Sequence, residues 1–283
     1  MNDTNDSQLS AIAKFRALHE DGCFVMPNPW DPGTSQYLQH LGFEALATTS
    51  AGFAFSRGLA DSATAIERFD MIGHIREIVH ATPLPVNADF QNGFADDPQG
   101  VADNVGLCIA TGVAGLSIED SSETADGGLY EFSLAVDRIK AARAAIDASG
   151  TAVVLTARAE VFLIGADDPL RVAVDRLVAF ADAGADCLYA PGVTDPEQIK
   201  TIVKAVAPKP VNVLVSRPNP LLSSVARLAD LGVRRISVGS ALAMVAWGSF
   251  IRAAQTLKEN GSFENFAGGA SYAEVNTLFT KQI

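Results

Sequence analysis

The sequence predicts an α/β fold, a (β/α)8 barrel of the TIM type with a C-terminal helical extension, and three observations predict it. Short runs rich in Val, Ile, Leu and Ala alternate with longer segments of helical period. Asp-Pro pairs recur where helices should open, and single glycines recur just before the apolar runs. The runs are 23–27, 44–49, 84–89, 114–118, 152–157, 186–190, 210–215 and 234–238, each followed by a helix-like segment. Eight such units, nearly continuous in apolar character, suit a parallel sheet closed on itself and covered on both faces.

The punctuation has a physical basis. Asp31-Pro32, Asp97-Pro98, Asp168-Pro169 and Asp195-Pro196 each place a carboxylate where the first helical N–H groups lack acceptors, and a proline whose φ already suits the first turn. Gly42, Gly112, Gly184 and Gly232 stand where a helix C-terminus calls for positive φ. An open doubly wound sheet is the competing architecture, but the first turn, MPNPWDPGTS, is not G-x-G-x-x-G. No break in the rhythm marks a second domain. Residues 1–283 therefore read as one barrel domain, with 259–283 as a helical tail. That tail carries Phe263, Phe266, Tyr272, Leu278 and Phe279, and packs on the barrel or swaps with a neighbouring subunit.

Bulk properties narrow the function. With 48% hydrophobic and 19% charged residues the chain can bury a large core and is not disordered. A formal charge of −12 with no Lys/Arg cluster argues against nucleic acid and anionic membranes as partners. It does not forbid a small anionic substrate, because a bound metal and one arginine can dominate a pocket. No apolar run approaches a membrane span, and MNDTNDSQLS lacks the order of a signal peptide, so a cytoplasmic protein is expected. Cys23, Cys108 and Cys187 fit neither a disulfide framework nor a zinc motif, and read as small core residues.

Active sites of such barrels lie at the C-terminal ends of the strands. Those positions offer Asn28, Trp30 and Asp31; Thr49, Ser50 and Gly52; Asp89, Gln91 and Asn92; Glu119 and Asp120; Arg158 and Glu160; Asn212, Ser216 and Arg217; and Gly239 and Ser240. All four histidines fall in helical segments, which argues against a histidine base or a His-rich zinc site. No lysine ends a strand, which argues against a Schiff base. Asp89 and Glu119 end adjacent strands and converge at the mouth, where oxygen ligands suit Mg²⁺ or Mn²⁺. Equally, Asp89 can cap the next turn while Glu119 pairs with Arg158. Arg158 can grip a substrate carboxylate with its planar fork, or form a salt bridge to Glu160 or Glu119. Asp31 reads as a helix cap, and Gly239-Ser240 as an anion cradle or a tight strand–helix junction.

Five segments in order make the chain similar to the isocitrate lyase/phosphoenolpyruvate mutase superfamily. They are NPWDPGTSQYLQHLGFEALATTSAGFAFSRGLADS (28–62), PLPVNADFQNGFADDP (83–98), GLSIEDS (115–121), TARAE (156–160) and PVNVLV (210–215). The resemblance spans about Asn28 to Ser240 and implies a (β/α)8 barrel, commonly tetrameric, with a C-terminal helix often exchanged between subunits. It implies that Thr49, Ser50 and Ala51 bind the substrate's carboxylate or oxo group, and that Asp61 reaches the site on a mobile loop. Asp89 is implied as the direct Mg²⁺ ligand, Glu119 as a holder of metal-bound water, Arg158 as the substrate-binding arginine and Asn212 as a second polar contact. The chain departs from the pattern twice. Gln91 stands where the family has a second acid, so it is expected to hold only metal-bound water and to weaken metal affinity. The loop SSETADGGLYEF (121–132) lacks the lyase cysteine motif and the mutase Lys and Asn.

These residues lead to an expected Mg²⁺-dependent (or Mn²⁺-dependent) carbon–carbon lyase acting on a small 2-oxo or 2-hydroxy dicarboxylic acid. The expected route is a metal-stabilised enolate, as in oxaloacetate decarboxylation, with segments 53–62 and 121–131 closing over it. Tyr130 is a candidate proton donor, although a loop tyrosine more often simply packs. Phosphoenolpyruvate mutase or phosphonopyruvate hydrolase chemistry is one alternative, and a non-catalytic barrel that binds a carboxylic acid is another. A homo-oligomer, tetramer or dimer, is expected.

Overall fold

The computed structural model describes residues 2–62, 64–122 and 128–280. In chain order these form α1 (Asn2–Glu20), β1 (Phe24–Met26), α2 (Pro32–His40), β2 (Leu46–Ala47), α3 (Ser50–Ser56), α4 (Arg68–His80), β3 (Val86–Asp89), α5 (Pro98–Ile109) and β4 (Gly115–Glu119). There follow α6 (Phe132–Ala148), β5 (Val154–Arg158), α7 (Pro169–Asp182), β6 (Cys187–Tyr189), α8 (Pro196–Val206), β7 (Val211–Leu214), α9 (Val225–Asp230), β8 (Arg235–Ser237), α10 (Ala241–Asn260) and α11 (Tyr272–Phe279). Each expected strand is present; six are shorter than expected, while β4 and β5 each run one residue further, to Glu119 and Arg158.

The strands pair in parallel from β2 through β8, and β8 pairs with β1, Phe24 opposite Arg235. The last seam, β1 to β2, is closed by the Ala47 N–H on the Pro27 carbonyl (3.0 Å) and by Asn28 Nδ2 on the Thr48 carbonyl (2.8 Å). Asn28 Oδ1 also accepts from the N–H groups of Val238 and Gly239, so one buried amide fastens both sides of β1. The Gly239 N–H is therefore committed to the barrel and does not cradle a ligand.

Local chemistry explains the helix starts. Asp31 and Thr34 form a reciprocal capping box, Asp97 accepts from the Gly100 N–H, and Asp195 accepts from the N–H groups of Glu197 and Gln198. Asp168 differs. It sits at φ 47°, makes no side-chain cap bond, and turns its carboxylate to Arg171. Gly42, Gly112, Gly184 and Gly232 all have positive φ, as expected after a helix.

Leu116, Ile118, Leu155, Leu188 and Val213 are buried in the strands, and Ile75, Val105, Ile139, Leu177 and Ile202 bury the inner faces of the helices over them. Each such side chain contributes on the order of 1.5–3 kcal/mol by leaving water. Helix α1 lies across the N-terminal ends of the strands. Phe15 is fully buried there, and a Cβ on Gly115 would fall 2.6 Å from its ring, so β4 must begin with glycine. Cys108 and Cys187 are buried, Cys23 is half-buried, and all three are free. Helix α11 packs on α2, with the Phe279 ring beside Gly33, whereas α10 exposes Val245, Phe250 and Ile251. Among the described residues no helix is long and apolar enough to cross a membrane.

Candidate active site

The ends of β3, β4 and β5 bring three ionisable side chains together. Arg158 Nη1 lies 2.8 Å from Asp89 Oδ1 and 2.8 Å from Glu119 Oε1, and its Nε lies 2.8 Å from Glu160 Oε1. Both sequence readings of Arg158 as a salt-bridge partner are present at once. The fork is turned toward protein carboxylates, with Nη2 also on Glu160 at 3.3 Å. The Tyr189 ring lies under the guanidinium, 4.9 Å from its carbon.

Asp61 lies at the rim and adds negative charge to this group. It is among the charges acting on Glu119. Burial pushes the Glu119 carboxyl up to about 8, opposed by Arg158 and reinforced by Glu160, Asp89 and Asp61. Burial likewise raises Glu160, while the surrounding acids hold Arg158 firmly protonated. One arginine therefore faces more acid than it can neutralise.

The supporting loops set these groups in place. Thr49 caps α3 through Oγ1 on the Gly52 N–H, and a Cβ on Gly52 would fall 2.6 Å from Thr49 Cγ2, so only glycine lets α3 start this close. The Ser50 N–H donates to Asp89 Oδ2 (3.0 Å), which fixes the carboxylate and uses one of the expected backbone donors. Ala51 lines the cavity beside it. The turn after β3 is wound tightly: Gln91 and Phe94 have φ of 46° and 55°. Buried Arg138 binds the carbonyls of Asn92, Ala95 and Asp96, and Asn104 binds those of Gly93 and Phe94. Gln91 is buried in this turn and its Oε1 has no hydrogen-bond partner.

A cleft of about 390 Å³ opens over Asp61, Asp89, Gln91, Glu119 and Arg158. A narrower cavity of about 170 Å³ runs into the barrel past Thr49, Ser50, Ala51 and Asn212, and shares Asp61, Asp89 and Arg158 with the cleft. Thr49, Ser50, Ala51, Asp61, Asp89, Gln91, Glu119, Arg158 and Asn212 line one or both, as do Asn28, Asn92, Glu160, Gly239 and Ser240. Trp30, Asp31, Gly52 and Asp120 line neither, and Ser216 and Arg217 line a separate groove beside α10. No His, Lys or Cys is among the described lining residues. Asn212 lies deeper than the others; its Oδ1 accepts from Arg235 and one hydrogen of its Nδ2 goes to Ser237 Oγ. Tyr130 is not at the cleft: its hydroxyl donates to Asp96 and accepts from Asn92, so it latches two loops together. Asp120 likewise turns away, to Arg176 and the Glu160 N–H. Residues 123–127 of the expected gating segment lie outside the described residues, and 53–56 of the other segment belong to α3. Sequence reasoning missed Arg235 and Tyr189, although two arginines in the strand run RRISV signal that one must point inward.

A closed parallel barrel with its ionisable groups gathered at the carboxyl ends of the strands has the form of a barrel enzyme. The model of the phosphoenolpyruvate phosphomutase family matches residues 15–258, and the chain belongs to that family, within the isocitrate lyase/phosphoenolpyruvate mutase superfamily of lyases and mutases. It is 45% identical to a provisionally named lyase/mutase from Burkholderia cenocepacia, whose structure superposes with a TM-score of 0.92 over 98% of each chain. It is 30% identical to an oxaloacetate decarboxylase of Pseudomonas aeruginosa over 81% of this chain and 79% of that one. A structure of oxaloacetate acetylhydrolase with its product oxalate is 27% identical, with a TM-score of 0.84 over 95% and 94% of the two chains.

Proposed function

We propose that the protein is a divalent-metal-dependent carbon–carbon lyase that decarboxylates oxaloacetate or a close 2-oxo dicarboxylic acid. The observation that carries this is the composition of the cleft, an excess of acid around one arginine with no His, Lys or Cys among its described lining residues. Loss of CO₂ from such an acid needs no protein base. It needs charge stabilisation for the electrons left behind and a proton that water can supply.

The residues fit Mg²⁺ or Mn²⁺ on two counts. Asp89 and Glu119 reach the same nitrogen of Arg158, and Gln91 Oε1 is a buried oxygen without a partner. Among the described residues no three His, Cys, Asp or Glu side chains enclose an ion by themselves. Asp89 would hold the ion directly, with Glu119 and Gln91 acting through water, a pattern suited to Mg²⁺. When bound, the cation supplies positive charge beside the oxygens of the 2-oxo acid.

The chain's own groups do the rest. Asp89 is held by the Ser50 N–H, which leaves the Ala51 end of α3 to face the acid. Arg158, held on both sides by acids, offers its remaining N–H and its charge to the substrate carboxylate. Asn212 meets the acid from the inner wall, and Asp61 closes the rim with the segment after α3. The relatives named for oxaloacetate chemistry support this choice of substrate class.

The test is product analysis with oxaloacetate and Mg²⁺. Pyruvate and CO₂, lost on adding EDTA, are the expected result. Phosphate and pyruvate from phosphonopyruvate would instead assign P–C chemistry, and oxalate binding without turnover of either acid would assign a binding protein. The same reading makes the chain a homo-oligomer, supported by the apolar residues that α10 leaves exposed. Phe250→Glu should shift sedimentation toward the monomer; an unchanged value would remove α10 from the interface.

A further inference from the structure

Arg235 is 1% exposed, lines the inner cavity, and has no carboxylate partner among the described residues. A buried guanidinium without an anion is uncommon, because its desolvation is normally offset by a pair. Its partners are all neutral: Asn212 Oδ1 (2.9 Å from Nε), Thr156 Oγ1 (3.0 Å from Nη2) and His19 Nε2 (3.3 Å from Nη1). His19 stays neutral, its pKa lowered to about 3 by burial and by Arg235, and its Nδ1–H donates to the Phe15 carbonyl.

Arginine has donors only, so whatever faces it must accept. This settles the orientation of Asn212. Its carbonyl oxygen is pinned toward Arg235, and its NH₂ end is turned the other way. One of those hydrogens goes to Ser237 Oγ (2.9 Å), and the other has no acceptor among the described residues, on a side chain that lines the cavity. An asparagine free to flip would offer the cavity an acceptor as readily as a donor. A carboxylate at position 212 would pair Arg235 better but would present only acceptors.

We propose that Arg235 is a positioning residue for anion binding: it holds Asn212 donor-first, so that the inner wall receives the oxygen of a 2-oxo acid or its carboxylate. The barrel keeps this arginine without an acid because a paired arginine would turn the wall against an anion. The inference rests on the inner cavity being the substrate site, as in the proposed function.

Two variants test it, with oxalate in the presence of Mg²⁺ as the probe and thermal unfolding as the control. Asn212→Asp gives Arg235 a carboxylate, so Tm should equal or exceed that of the parent chain while oxalate affinity falls at least about 100-fold. A merely structural Asn212–Arg235 contact would not separate the two readouts. Arg235→Gln frees Asn212 to flip and should weaken oxalate at least about tenfold, whereas Arg235→Lys, again a pure donor, should recover most of that loss. Oxalate affinity within about twofold of the parent in both Asn212→Asp and Arg235→Gln would overturn the proposal. So would a parent chain that binds no oxalate. Oxalate binding without decarboxylation would sink the proposed reaction and leave this inference standing.

Discussion

Arg158 and Arg235 line the same cavity from opposite ends of their strands, and their surroundings are opposite in charge. Arg158 ends β5 and touches three carboxylates, with Asp61 adding a fourth acid at the rim. Arg235 begins β8 and touches an amide, a hydroxyl and an imidazole. The mouth therefore carries negative charge in excess of its one cation, while the inner wall carries a cation with nothing to neutralise it. An anionic substrate cannot be held by the first region unaided, and the second alone offers no means of drawing electrons. The two regions make sense together when a divalent ion joins the mouth and the acid lies between ion and wall.

The contrast can be broken most severely at the mouth. Asp89→Ala removes the acid that would hold the ion directly, and turnover should fall on the order of 10³-fold, with Mg²⁺ binding lost in calorimetry. Metal affinity untouched by that change would move the site elsewhere. At the acid-free end the handle is pH. The folded-state pKa of His19, about 3, lies below its ordinary value of 6.5, so the native state binds fewer protons than the unfolded chain. The stability this confers is complete above pH 6.5 and is lost as pH falls from there toward 3. Between pH 7 and 5 it amounts to about 2 kcal/mol in urea unfolding, and His19→Gln should flatten that part of the profile. If the variant retains the full slope, other groups carry it.

Arg158→Lys keeps the charge and loses the fork, so it cannot satisfy Asp89, Glu119 and Glu160 and still reach substrate. KM for oxaloacetate should rise about tenfold, roughly 1.4 kcal/mol, with a smaller change in kcat. An unchanged KM would confine Arg158 to organising the acids. The mildest change is Gln91→Glu, which adds charge to an oxygen that already lacks a partner. It should tighten Mg²⁺ binding by about threefold to tenfold, up to roughly 1.4 kcal/mol, and weaker binding would take Gln91 out of the ion's surroundings.

How far these regions could be read from sequence follows from the range of the interactions involved. Strand and helix positions are written in local patterns, in apolar runs, Asp-Pro starts and glycines at positive φ, and the eight strands fall where those patterns put them. Asp168 breaks its pattern because a left-handed backbone carries its carboxylate away from the helix start and onto Arg171. The acids of the mouth were legible because barrel chemistry concentrates at strand ends. What Arg158 does with them was not, since choosing among Asp89, Glu119 and Glu160 depends on contacts up to 69 residues apart. Which of its two roles Tyr130 takes, proton donor or packing residue, was hidden for a related reason: its partner Asp96 lies 34 residues away in a turn whose shape Arg138 sets. Arg235 was the hardest, because a strand arginine gains meaning only when its neighbours across the barrel prove to be neutral.

The Arg138 guanidinium, bonded to three carbonyls of the turn after β3, has one more consequence. It makes the mounting of Gln91 a rigid part on which new specificity can be built by exchanging residues in 57–62 and at Gly128 and Leu129, short of the Tyr130 latch. Directed evolution toward bulkier acids should therefore gather its useful changes in those two stretches and leave 90–96 and Arg138 untouched.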